Sequence, residues 1–321
     1  MESLEPPVAV APPPAAPAGI FPAHLLFLIS LVLAVILGTA VQVWLLWPGM
    51  ILTEVFLLLL PALLFAVLTG SPMQALRLKW VGAGACWMGM AIGAGILPLA
   101  LGADLLGGRI LGYSWSLPED FWAKGPVATL FYVLAIAVCA PFCEELLFRG
   151  YILGAYERAG WRPRQAILAV AALFTAYHLS LSRAPGVAVA ALALTYVAWR
   201  TGSVWPSIGV HAGANGTVAL LVATGHSQWV DEPSPRGLLL ASIPGLLATA
   251  ICLWRIVTGP PRAQDAEFAP VSAKFRQWWP LWVAGAIVLV VASLEVRMYK
   301  FSPAHATHTS RVEEWVLVRR S

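Results

Sequence analysis

Two adjacent glutamates and an arginine stand in an otherwise apolar run, Phe142-Cys-Glu144-Glu145-Leu-Leu-Phe-Arg149. Carboxylates can take a proton from water, and a guanidinium can hold a carboxylate in place. Glu145 and Arg149 are spaced i, i+4, so on a helix they share a face and can pair. Glu144 lies about 100° round the helix from Glu145 and is less readily neutralised by the same arginine. An ion pair that only packs helices needs one glutamate, and there are two. Downstream come His178, in Phe174-Thr-Ala-Tyr-His178, and the i, i+4 pair His211-Ala-Gly-Ala-Asn215, whose side chains point to one helix face. Gly209, Gly213 and Gly216 beside that pair leave room for another backbone or a substrate.

These residues sit in apolar segments, where a charged side chain costs from about 3 to over 10 kcal/mol. No helix breaker follows Arg149 until Gly160, so the fourth helix is expected to run from about 126 to 159, with Glu144 in its middle. The turn to the fifth helix centres near Trp161, seventeen residues after Glu144 and seventeen before His178. In an antiparallel hairpin rising about 1.5 Å per residue, the two reach the same depth. Counting through the turns near 183 and 202 puts His211 and Asn215 within roughly 10 Å of that depth.

The rest of the chain fits a bilayer. Of its 321 residues 59% are hydrophobic and only 11% charged, too few charges to cover a water-facing surface. Mean hydropathy is +0.77. Apolar runs near 22–46, 50–69, 80–103, 126–147, 165–181, 186–200, 204–224, 237–256 and 279–296 predict an all-α, polytopic transmembrane bundle of eight or nine spans. Residues 1–20 form a Pro/Ala-rich tail without the basic n-region of a secretory signal. Residues 21–300 read as one membrane domain with its motif core at 126–224, and 301–321 as a polar tail. The net charge of +4 falls in short loops, which sets orientation in a membrane and excludes nucleic acid as a partner.

Basic residues near 77–79, 158–164, 200 and 255–276 place those loops and the N-terminus on the cytoplasmic side. The basic residues of the C-terminal tail, from Arg297 to Arg320, run against the orientation that nine spans would then require. On this topology the Glu144 layer lies about 25 Å from the turn at 161, nearer the extracytoplasmic face.

Cys86, Cys139, Cys143 and Cys252 lie in apolar runs and read as small packing residues. Seven tryptophans, among them Trp44 and Trp47, fall near span ends and read as interfacial anchors. His305 and His308 read as solvated tail residues, and Asp231 and Glu232 as solvated loop residues. Glu54 and Glu295, in or near spans, receive no role.

In this order on successive helices, EExxxR (Glu144, Glu145, Arg149), FxxxH (Phe174, His178) and HxxxN (His211, Asn215) resemble the CAAX prenyl protease and bacteriocin-processing family, also called the Abi or type II CAAX endopeptidase family. Each motif alone is weak; the ordered trio is specific. The resemblance covers about 126–224, a third of the chain. It implies an intramembrane endopeptidase acting on a membrane-associated protein or peptide, in the plasma (inner) membrane of a bacterium. Its myxosortase branch, which removes C-terminal sorting tails, fits an extracytoplasmic site; CAAX-type processing needs cytoplasmic access.

The residue types suit the chemistry. Glu144 with His178 can position and deprotonate a water, His211 with Asn215 can donate to an oxyanion, and Arg149 can hold Glu145. Family members are often labelled metalloproteases, and zinc on Glu144, His178 and His211 is one reading. A metal-free site is the other, favoured by the absence of HExxH. The competing function class is a non-enzymatic membrane protein, a Glu/His proton-coupled transporter or an immunity factor.

Overall fold

The computed structural model describes residues 19–114, 125–231, 233–259 and 275–301. The described residues form helices, with no strand among them. Glu232, His305 and His308 and most of both tails lie outside them.

The first apolar stretch, Phe21–Leu68, is 48 residues long, twice what a crossing needs. It folds back on itself. Leu46 takes φ 52° and ψ −125°, outside the helical region, and Pro48 follows. The Gln42 side-chain amide donates to Thr53 Oγ1 at 2.9 Å, although eleven residues of straight helix would hold them about 16 Å apart. A Cβ at Gly49 would stand 2.5 Å from the carbonyl oxygen of Val41, so only glycine lets the arms meet there. We call the arms α1 (21–45) and α2 (47–68). Trp47, at the bend, is buried against Tyr132 and is no interfacial anchor; Trp44 is exposed, as an anchor should be.

Seven further long helices follow among the described residues: α3 Ala83–Leu111, α4 Pro126–Arg158, α5 Pro163–Tyr177, α6 Ala184–Thr201, α7 Trp205–Ala223, α8 Pro235–Thr258 and α9 Phe275–Phe301. They correspond one to one with the remaining apolar runs. Five stretches are long and apolar enough to cross a membrane, counting the α1–α2 hairpin once, with α3, α4, α8 and α9. Leucines and isoleucines of α8, such as Leu239, Leu240, Ile243 and Leu247, point outward, as lipid-facing side chains do. The chain is an integral membrane protein.

Helix α5 is the main departure from the hydropathy reading. It stops at Tyr177 instead of 181; His178 caps it and Leu179 takes φ 51°. At 15 residues it is too short to cross, and it packs against α4. Helix α7 lies along α3 with backbones almost touching. A Cβ at Gly213 would come 2.1 Å from the carbonyl oxygen of Met90, and one at Gly209 2.4 Å from that of Cys86. Those glycines are therefore occupied by α3 and are not open to a substrate; Gly216 has no such close neighbour.

Arg77, grouped by sequence with the cytoplasmic loop charges, is buried. It donates to the carbonyls of Arg149 and Ala198 and pairs with Glu157 at 3.5 Å, which ties the α2–α3 connection to α4 and α6.

Candidate active site

Helix α4 carries the glutamates on an unusual backbone. Ala140–Glu145 is α-helical, but Leu134–Cys139 before it and Leu146–Ile152 after it are wound wider, with i→i+5 bonding. Such wide turns recur at functional sites because they free carbonyls and re-aim side chains. Here the first one leaves the Ile136 carbonyl to accept from the Asn215 side-chain amide at 3.0 Å.

Glu145 and Arg149 are fully buried, and every strong polar group they offer is used. Arg149 NH1 donates to Glu145 Oε1 at 2.8 Å. The Ser207 hydroxyl donates to Glu145 Oε2, and His211 Nδ1 lies 3.0 Å from Oε1. Arg149 Nε donates to Thr195 Oγ1 at 3.2 Å and NH2 to the Ala191 carbonyl at 3.3 Å. Its guanidinium also stands 4.0 Å from the centre of the Phe174 ring, a cation–π contact. One ion pair thus binds α4, α5, α6 and α7. Burying two charges is tolerated because each is paired and hydrogen-bonded.

His211 turns Nδ1 toward Glu145, so Nε2 is the nitrogen left for other partners. That atom donates to an oxyanion when the ring carries both protons and accepts when it carries only the Nδ1 proton. Asn215, one turn on, has a second amide hydrogen beyond the one given to Ile136.

His178 lies at the end of α5 with an exposed ring. Its Nδ1 bonds the Phe174 carbonyl at 2.9 Å, which leaves Nε2 as the outward nitrogen. Phe174 touches both histidines, its ring centre 4.7 Å from that of His178 and 5.9 Å from that of His211. The segment after His178 is anchored by Glu295 of α9. That carboxylate accepts from Ser180 Oγ at 3.1 Å, from the Leu181 amide at 2.6 Å, and from the amide and hydroxyl of Ser182 at 3.4 and 3.2 Å. A lone acid in a late span was visible in the sequence; its partners were not.

Glu144 differs from all of these. It is 8% exposed, and its Oε2 has no hydrogen-bond partner among the described residues. Electrostatically it is within reach of His211, Glu145 and Arg149. The structure therefore brings Glu144, Glu145, Arg149 and His211 into one centre. His178 is linked to that centre by Phe174 and by its charge interactions with His211 and Arg149. Asn215 is held one helical turn beyond His211.

Donor types that zinc accepts are present, but they do not come together. Among the described residues no three His, Cys, Asp or Glu side chains converge as metal ligands, and Glu144, His178 and His211 do not do so. Cys139 and Cys143 are free thiols with sulfurs 3.9 Å apart.

Residues 126–217 match the family model described as Rce1-like, type II CAAX prenyl endopeptidase. The match spans all three motifs and bears out the resemblance drawn from them. Comparison with curated proteins and with solved structures returns no match.

Proposed function

We propose that this membrane protein is an intramembrane endopeptidase of CAAX type that hydrolyses a peptide bond with a water activated by Glu144. The observation that carries the reading is the contrast within α4, where a buried carboxylate oxygen without a partner adjoins a carboxylate with three polar contacts. Leaving a buried polar atom unbonded costs about 1–3 kcal/mol, and such exceptions cluster where a substrate group is to be met.

In this mechanism Glu144 takes one proton from water as the oxygen attacks the scissile carbonyl. His178, with its outward Nε2, accepts from the same water and orients it. The charge that develops on the carbonyl oxygen is met by the second Asn215 amide hydrogen and by His211 Nε2 when that ring carries both protons. Glu145 and Arg149 touch no reacting atom; they fix the His211 ring and hold four helices in register. No step passes through a metal.

The substrate is a membrane-tethered protein cut near its C-terminus, as in CAAX processing or removal of a sorting tail. The family match supports the first, and a site layer near the extracytoplasmic face favours the second. We place the enzyme in a bacterial inner membrane, with residues 21–300 acting as one domain. Purified protein in liposomes should release the tail of a prenylated CAAX peptide, and Glu144→Ala should abolish release while membrane accumulation stays near normal. Wild-type cleavage by that variant would sink the assignment.

A further inference from the structure

Glu54 has no place in the family motifs, and it lies far outside the matched segment. Yet it is 6% exposed in the second arm of the hairpin, where it opens the wide-turn stretch Glu54–Leu59. Like Glu144, it has an Oε2 with no hydrogen-bond partner among the described residues.

Five buried side-chain polar atoms lack a partner among the described residues. Three belong to Glu54, Glu144 and Tyr177, which interact with one another electrostatically. Chance seldom puts three such atoms together, since each carries a desolvation cost. Packing holds them there. Helix α2 lies against α4, with Cys139 Sγ directed at the Ile51 carbonyl one turn before Glu54. The Tyr177 ring is gripped by Phe27 and Phe148, with ring centres 6.3 and 5.5 Å away.

The stretch that begins at Glu54 packs against Ala140–Glu145, and two carboxylates within electrostatic reach of each other in apolar surroundings cannot both be ionised at modest cost, so one proton between them is the stable arrangement. A base and an acid on paired carboxyls is what amide hydrolysis needs, because an amine leaves poorly until its nitrogen is protonated.

We propose that Glu54 is a further catalytic residue, the protonated partner of Glu144 that serves as general acid for the leaving amine. This rests on the endopeptidase reading above. In the first step a water O–H bond breaks, its proton goes to Glu144, and the oxygen bonds to the carbonyl carbon, whose π pair moves onto the carbonyl oxygen. In the second step that pair returns, the C–N bond breaks, and the nitrogen takes the proton of Glu54. The proton on Glu144 then passes to Glu54 and restores the pair. The Tyr177 hydroxyl, itself unpartnered among the described residues, lies within electrostatic reach of both carboxyls.

The test uses full-length protein in liposomes with two probes, a prenylated CAAX peptide and its analogue with an ester at the scissile position. An alkoxide leaves without much help from an acid, so the ester bypasses Glu54. Glu54→Gln should lower kcat on the amide about 10²–10⁴-fold with KM little changed, while ester cleavage falls less than about 10-fold. Glu54→Asp, which keeps the acid on a shorter stem, should recover part of the amide rate. Equal loss on both probes, or no loss on either, overturns the proposal.

Infrared spectra supply a readout that does not depend on turnover. A carboxylic-acid C=O band should be present in the wild type and missing in Glu54→Gln. Its survival unchanged in Glu54→Gln also overturns the proposal. If the wild type cleaves neither probe, it is the endopeptidase reading that falls, and the infrared result still decides whether Glu54 holds the proton.

Discussion

Glu144 and Glu145 are neighbours in sequence, of one residue type, on one helix, and both buried, yet they live in opposite surroundings. Glu145 faces α6 and α7, where Arg149, Ser207 and His211 surround it. Glu144 faces the hairpin arm α2 and the end of α5, where Glu54 and Tyr177 offer atoms as unsatisfied as its own. The about 100° between successive helical residues separates a satisfied carboxylate from an unsatisfied one. A satisfied buried network specifies the fold, whereas an unsatisfied one stores affinity for a reacting group.

The comparison breaks most sharply at the two glutamates themselves. Glu144→Gln should reduce cleavage by at least about 10²–10⁴-fold and leave the detergent melting temperature unchanged or slightly raised, since a buried unpaired charge is removed. Assayed side by side, Glu145→Gln should lower the melting temperature. If Glu144→Gln proved the less stable of the two, the assignment of roles would be reversed.

Removing the cation tests the closed half. Arg149→Ala leaves Glu145 buried without its ion-pair partner, a change worth about 3–5 kcal/mol, and should cut membrane accumulation as well as activity. Normal melting of that variant would show that the network does not hold the helices.

Asn215→Ala tests the open half at its edge. Loss of one oxyanion donor costs about 10²–10³-fold in rate. The expected result is a fall in kcat with substrate affinity retained. A change confined to KM would mean that the amide only braces the Ile136 carbonyl.

The smallest effect is expected at Glu295. Glu295→Gln exchanges an acceptor-only carboxylate for an amide whose NH2 must face either the Leu181 or the Ser182 N–H with hydrogens of its own. Hydrogen bonds to a charged group are worth about 1.5–3 kcal/mol, so stability should fall by that order. The segment carrying His178 should also exchange amide hydrogens faster, while the α4 core stays protected. Unchanged exchange there would show that α5 positions His178 unaided.

Much of this was legible beforehand, for identifiable reasons. A charge in an apolar run stands out because hydrocarbon makes it costly, and this exposed Glu144, Glu145 and Arg149. Helical rise is constant enough to give Glu144 and His178 one expected depth across a short turn. The reading was weaker where backbone geometry departs from the regular helix. The wide turns flanking Ala140–Glu145, the early end of α5 at Tyr177 and the close contact of Gly213 with α3 have no signature in hydropathy. Arg77 looked like an orientation signal because loop charges usually face water; here it reaches back into the bundle.

Sequence alone thus carries the solvent, the all-helical architecture, and the three motifs with their order. Each of these depends on local composition or on spacing along one helix. Tertiary packing alone settles which glutamate is satisfied and which is not, brings Glu54 and Tyr177 within electrostatic reach of Glu144, and lets Glu295 anchor the segment after His178. Those contacts join residues up to 115 positions apart. They arise from packing of helix faces, which no residue's neighbours in sequence encode.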